Sequence, residues 1–516
     1  MNVFTFRPSK WWRKSAWLFV VAALTLYSCT EDDNPIIPDT SSSDVIDGAY
    51  YGNKNIIIQA NDSTVINYGD IVVGVNERDD VVFDQVRTVM SGPKGRHKEH
   101  CLNVCGMGAF RLTYYGDTLS IDEDIKVGHV TMINRGTITI HTKRLVEKYV
   151  DQLKVDDNDE AHDYQYLVFA AMYGMANDTF INEGKIEIIF DHDPTIVPKV
   201  YGMCFSTAKG GTVINEGEII FRGVGGISTR LRGCASFANN ISFTNRGTIT
   251  MDVEQADDSR VVTMGGDSIQ VVNDGIINVS LPGTVFCITR YGTGTYLNNG
   301  TINVTYKSNP EQYWSASSGC SLAVLYEPIK PNHVNQPPMI NRGNINITME
   351  ETGHDNPYRK CYGMWFDLSL GTPEESALVK LNIVNEGNIT MNQSGKYEMA
   401  EAAFSSQPTL KDVGVNMIVN KWNTTLRDFS KNNHLFVANG ANIDLSIAEL
   451  VLYPEDDYVS ETPYSIAEKD IIYNKDATGE YAYNILNYDK MKVSSGSDNW
   501  NLVWDKTNKT AALKKK

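Results

Sequence analysis

The chain has 516 residues, a formal charge of −17, 42% hydrophobic side chains and 40 glycines. A chain of this length and apolar content can bury a sizeable core. Its 46 basic against 63 acidic side chains exclude the concentrated positive surface that a nucleic-acid partner needs.

At the start, Arg7, Lys10, Arg13 and Lys14 precede an apolar run from Ala16 to Leu26. That is a secretory-signal pattern, since the run is short for a membrane span. Leu26-Tyr27-Ser28-Cys29 resembles a lipobox, which implies that residues 1–28 are a lipoprotein signal peptide and that Cys29 is the lipid-attachment residue. Thr30-Glu31-Asp32-Asp33 resembles the acidic export signal of Bacteroidota lipoproteins. That resemblance implies an outer-membrane lipoprotein facing the cell exterior. Residues 29–47, with Pro35, Pro38 and Ser41-Ser42-Ser43, read as a flexible tether.

A repeated unit follows, in which asparagine and glycine two residues apart lead into alternating β-branched residues. Two clean copies are Ile133-Asn134-Arg135-Gly136-Thr137-Ile138-Thr139-Ile140 and Ile340-Asn341-Arg342-Gly343-Asn344-Ile345-Asn346-Ile347. The asparagines stand at 67, 134, 182, 215, 245, 273, 298, 341 and 385. The shorter steps suit one turn of a coil, and the longer ones suit either an inserted loop or two turns with one degenerate. Asparagine tolerates left-handed angles and glycine takes positive φ, so the pair is expected to turn the chain. Stacked at ~4.8 Å, the asparagine amides are expected to bond in a ladder. The residues two and four after each glycine, such as Ile186/Ile188 and Ile345/Ile347, are expected to form the core.

A weaker Gly-Met or Gly-Cys signature recurs at Gly106-Met107, Gly174-Met175, Gly202-Met203, Gly233-Cys234 and Gly363-Met364. It predicts a second stacked strand, with Cys204 and Cys234 in the inner stack. The cysteines beyond Cys29 read mostly as small buried hydrophobes. The coil is assigned to 48–447. Residues 448–516, ending in Trp500-Asn501-Leu502-Val503-Trp504, are assigned to a C-terminal β cap that shields the last rung.

The residue between asparagine and glycine runs Arg135, Glu183, Glu216, Arg246, Asp274, Asn299, Arg342, Glu386, a solvated column of mixed sign. His97, His100, Cys101 and Cys105 match no standard zinc spacing. The acidic runs 156–160 and 191–193 lack the glycine-spaced loop of a calcium site. Neither a metal nor a cofactor is therefore expected. Tyr313 and Trp314 are the candidate aromatic platform for sugar contact.

The repeat resembles the right-handed parallel β-helix superfamily, which includes pectate-lyase-like enzymes, polygalacturonases and secreted adhesins, over about three quarters of the chain. The resemblance implies an all-β, right-handed parallel β-helix (solenoid) with terminal caps. Gly128-His129 is followed by Val130, so the Gly-His-Gly of polygalacturonases is not reproduced. The expected function is a surface-exposed, non-catalytic binding or adhesion module for glycans or cell-surface components. The alternative is a polysaccharide lyase or glycoside hydrolase with an outer-groove active site.

Overall fold

The structure is a computed structural model. It describes residues 45–516 apart from short gaps and the longer stretches 154–165, 308–317, 326–337, 351–359, 368–380, 406–416, 455–463, 466–471 and 475–484. The chain is all-β and its strands pair almost entirely in parallel, forming a solenoid-like stack of rungs.

Each full rung contributes an approach strand that ends on the asparagine, a departure strand after the glycine, and a third strand elsewhere in the turn. Thr131–Asn134, Asp178–Asn182, Gly211–Asn215 and Ile241–Asn245 are successive approach strands, paired asparagine on asparagine. The nine departure strands, from Asp70–Val73 to Asn388–Gln393, form their own sheet. Asn67 pairs directly with Asn134, and Asn134 with Asn182. The long steps between repeats are therefore single turns carrying insertions.

The ladder is continuous. Nδ2 of Asn67 donates to Oδ1 of Asn134 at 2.8 Å, and the same bond links Asn134, Asn182, Asn215, Asn245, Asn273, Asn298, Asn341 and Asn385 in turn, at 2.7 to 2.8 Å. All nine asparagines are fully buried. The backbone carbonyl of each corner asparagine from Asn67 to Asn341 also accepts two N–H groups from the next rung, as Asn134 does from Glu183 and Gly184, both at 2.8 Å. The backbone reason expected for the pair is corrected: no corner asparagine or glycine has positive φ. Glycine is needed because rungs approach so closely there. A Cβ on Gly184 would land on the carbonyl oxygen of Gly136, and one on Gly217 on that of Gly184.

The expected core columns point inward. Ile138, Ile186, Ile219, Ile249, Ile277, Ile302 and Ile345 are all fully buried, and Ile389 is 5% exposed. On the third strand, Met107, Met172, Phe205, Cys234, Val262, Ile288, Leu322 and Met364 share one register column. Gly106-Met107, Gly233-Cys234 and Gly363-Met364 are therefore equivalent, whereas Gly174 and Gly202 fall in other columns. What recurs is a bend: two successive residues, such as Ala171 and Met172 or Cys204 and Phe205, both enter the core. The first is often small because its Cβ is crowded, as at Gly106 against Ile138, so alanine and cysteine also serve. Cys101, Cys105, Cys204, Cys234, Cys287 and Cys361 are buried and unpaired in disulfides.

The insertion between Asn67 and Asn134 folds back over the outside of the third sheet. Strands Val82–Met90, Leu112–Tyr115 and Thr118–Ile121 help enclose a second apolar cluster that includes Phe83, Phe110, Val168, Tyr173 and Cys105. At the other end, Glu449–Pro454 and Lys492–Ser495 still add parallel strands. An antiparallel hairpin of Trp500–Asp505 and Thr510–Lys515 follows.

Two buried groups set opposing pH dependences. Burial pushes Asp178 up to about 6 against the hydrogen bonds it accepts from the Val130 and Ala176 N–H groups, so its contribution to stability falls as pH rises from 3.8 to about 6. Burial pushes His192 down from 6.5 to about 4, so its contribution falls as pH drops through that window. Asp178→Asn removes one slope and exposes the other. Denaturant titrations of this variant should show about 2–3 kcal/mol lost on acidification from pH 6 to 4, with a flatter profile for the parent.

Asn245→Ala strands the Asn215 donor and the Asn273 acceptor. At ~1–3 kcal/mol for each buried unsatisfied group, chemical denaturation should register a loss of about 2–5 kcal/mol. Glu216→Gln, on the solvated column, should stay within about 0.5 kcal/mol of the parent.

Candidate binding face

Stacking arranges the outward residues in columns as well, and the two sheets flanking the corner differ in what they present. Along the first departure strands the columns read Asp70, Thr137, Lys185, Glu218 and Val72, Thr139, Glu187, Ile220. Size, charge and polarity change at every rung. Farther along, the same sheet becomes neutral and polar at Thr250, Asn278, Asn303, Asn346 and Thr390. A second amide ladder forms there, Asn303 donating to Asn278 at 2.8 Å and Asn346 to Asn303 at 2.9 Å.

The approach sheet is uniform. Thr64, Thr131, Thr179, Thr212, Ser242, Gln270 and Thr295 share one outward column. Beside it runs Ile66, Ile133, Ile181, Ile214, Thr244, Val272, Leu297, Ile340 and Val384. All of these residues are at least partly exposed. At ~4.8 Å per rung the paired columns form a flat strip on the order of 30 Å long. Among the described residues, the hydroxyls of Thr64, Thr131, Thr179 and Thr295 make no hydrogen bond to the protein, and Ser242 donates to Thr212 at 3.3 Å.

Cross-strand pairing of β-branched neighbours favours such columns, yet the first departure strands, under the same pressure, vary from rung to rung. The approach strip is set apart by running hydroxyl and aliphatic columns side by side through those same rungs. Sugar chemistry suits it: aliphatic side chains meet C–H faces, and free hydroxyls both donate and accept.

The corner column forms one rim of this strip. Arg135 pairs with Glu183 at 2.7 Å, Arg246 with Glu216 at 2.7 Å and Arg342 with Glu386 at 3.0 Å, and Asn299 donates to Asp274 at 2.8 Å. These exposed pairs neutralise the rim and add little stability. At its first rungs the column becomes aromatic. Tyr51 and Tyr68 stack at 5.4 Å, 62% and 40% exposed, and Arg135 donates to the Tyr68 hydroxyl at 2.9 Å.

Tyr313, Trp314, Cys29 and the acidic run 156–160 lie outside the described residues. Cys101 and Cys105 sit in the second apolar cluster, where desolvation pushes the Cys105 thiol far up. Asp191 accepts the Lys143 N–H at 3.1 Å, and Asp193 accepts both the N–H and the hydroxyl of Thr195. Asp191 thus bonds across to the start of helix Lys143–Tyr149, and Asp193 serves as a local turn acceptor. His192 lies buried with Nδ1 2.9 Å from the Thr142 hydroxyl. Among the described residues, no three His, Cys, Asp or Glu side chains gather closely enough to hold a metal ion.

The threonine column was missed in the sequence although its signal is present, as Thr-x-Ile-Asn at 64–67, 131–134, 179–182 and 212–215. The Ile-Asn-x-Gly core of the repeat is far more regular than the residue two places before its isoleucine, which becomes serine, glutamine and threonine at 242, 270 and 295.

Residues 107–320 match the family model of the BigA fourth domain. No curated protein and no solved structure matches the chain.

If the threonines serve a ligand and not the fold, the triple variant Thr131→Val, Thr179→Val, Thr212→Val should retain the parent's stability to within about 1 kcal/mol, because valine keeps the shape and the strand preference. Thermal melting checks this, and a large loss would assign the hydroxyls to the scaffold.

Proposed function

We propose that the chain is a surface-exposed lipoprotein, anchored through Cys29 in the outer membrane, whose body is a right-handed parallel β-helix acting as a non-catalytic binding or adhesion module for glycans. The observation that carries this reading is the uniform strip of threonine and aliphatic columns on the approach sheet, which the packing of the core does not require. The match to the BigA fourth domain is compatible with an adhesin-like surface domain. Tyr313 and Trp314 are proposed as an aromatic contact that adds to the strip.

The formal charge of −17 disfavours long polyanions as ligands, because the field of the whole protein repels them. Neutral polysaccharides are therefore the expected class. The mature protein should be retained on immobilised neutral polysaccharides and leave their chain length unchanged. The triple threonine variant should bind about tenfold more weakly, equivalent to ~1.4 kcal/mol spread over three lost hydrogen bonds. Shortened products would instead establish the lyase or hydrolase alternative. No retention on any glycan would remove the glycan reading.

The anchor is tested separately. Cys29→Ala should abolish fatty-acid labelling, and labelling that survives in this variant would refute the attachment site.

A further inference from the structure

The corner column is charged or polar from Arg135 to Glu386, yet its first two positions are aromatic. Tyr50 pairs in register with Asn67, the Tyr68 N–H donates to the Tyr50 carbonyl at 2.7 Å, and a Cβ on Gly69 would land on the carbonyl oxygen of Gly52. Tyr50-Tyr51-Gly52 is therefore the corner that precedes Asn67-Tyr68-Gly69. Tyr50 stands where the later rungs have asparagine, and it belongs to the core. It is 2% exposed, and its hydroxyl donates to the Lys54 carbonyl at 2.8 Å and accepts the Lys54 N–H at 3.0 Å. Tyr51 and Tyr68 lie outside, and neither packs against either buried cluster.

The two outer rings lie nearly parallel, with planes 14° apart. Among the described residues, this is the one ring pair in which both partners are exposed. From the rung after, the Arg135 guanidinium lies 5.8 Å from the Tyr68 ring and bonds its hydroxyl, while Nε of Arg135 bonds Glu183 at 2.7 Å. Tyr68 is thus held from both neighbouring rungs. Tyr51 ends the column: among the described residues, no second ring and no cation meets it, and its hydroxyl has no hydrogen bond to the protein. Ile66 and Thr64, two and four residues before Tyr68, open the aliphatic and hydroxyl columns. The rings therefore adjoin the first rung of the strip.

We infer that Tyr51 and Tyr68 form an aromatic subsite for one sugar ring at the first-rung end of that strip. The subsite rests on the glycan reading above and adds to it a place: a neutral chain lying along the threonine column sets one of its units on the tyrosines. A sugar ring has an apolar C–H face edged by hydroxyls. A stacked tyrosine pair offers the complement, an aromatic surface edged by two phenolic hydroxyls that both retain a proton to donate. Because Arg135 and the stack already hold Tyr68, little side-chain freedom remains to be lost on binding.

The test is affinity electrophoresis of the full folded protein in gels containing dextran, laminarin or galactomannan, with melting curves recorded alongside. At least one of the three should retard the parent. Tyr51→Ala and Tyr68→Ala, each made separately, should weaken that binding about fivefold, the scale of one aromatic contact. Tyr51→Phe keeps the ring and should retain most of the affinity. Melting temperatures should stay at the parent's, because both rings lie outside the core. Unchanged binding in both alanine variants, beside weaker binding in the triple threonine variant, overturns the subsite and leaves the glycan reading standing. A parent retarded by none of the three overturns both. An equal loss in Tyr51→Phe overturns the stacking role, and a fall in melting temperature that tracks the loss of binding makes the pair a structural cap instead. Choline chloride is titrated as a control: saturable binding that the alanine variants abolish, with glycan binding unchanged, would assign the rings to a cation and overturn the sugar subsite.

Discussion

The molecule depends on one contact repeated down its axis: the amide of a buried asparagine bonded to the amide one rung away. The bond forms only if consecutive corners lie directly over each other. The glycine two residues later enforces the same condition sterically, since any side chain there would strike the corner before it. Together they fix the register of the rungs from Asn67 to Asn385, so core columns, surface columns and corner charges there all inherit one alignment. The energetic logic is asymmetric. Each ladder bond contributes modestly, but an amide left unpaired in this fully buried column costs about 1–3 kcal/mol. Neighbouring rungs therefore hold one another in place, as expected of a quasi-one-dimensional stack.

Because that constraint acts at the corner, the rest of each turn is free to vary. Steps between asparagines range from 25 to 67 residues without disturbing the stack. The longest insertion is built into the fold, laying hairpin strands over the third sheet and enclosing a second apolar cluster. Where that cluster ends, Tyr201 packs against it and takes a hydrogen bond from Arg230 at 2.7 Å.

The parts of the fold that were legible in the sequence are those imposed by the axis. Asn-x-Gly, and the isoleucines two and four residues on, follow from stacking and burial, so they recur in plain view. The reason first given for the glycine was wrong because φ and a close approach leave the same trace in a sequence. The third strand was half legible. A bend accepts any small residue, so alanine at 171 and cysteine at 204 hid it, while Gly174 and Gly202 imitated it. The ion cluster of Arg232, Arg260 and Asp258 could not be read at all: only the pairing of strand Thr229–Ser236 with strand Asp258–Asn273 brings both arginines to the Asp258 carboxylate.

The end of the ladder shows what the asparagines accomplish elsewhere. Asn385 has no amide beyond it, and its Nδ2 donates to the Asn423 carbonyl at 2.8 Å. The register partner of Asn385 on the next strand is Trp422. An indole there carries a single N–H and cannot pass a hydrogen bond onward, so the interior must supply an acceptor from another column. Glu401, fully buried, does so. It accepts the Trp422 Nε1–H and the Thr424 hydroxyl, both at 2.7 Å. A self-complementary amide that both donates and accepts can repeat indefinitely along the coil. A donor-only ring needs a buried carboxylate to satisfy it, and the asparagine ladder spares the other rungs that arrangement.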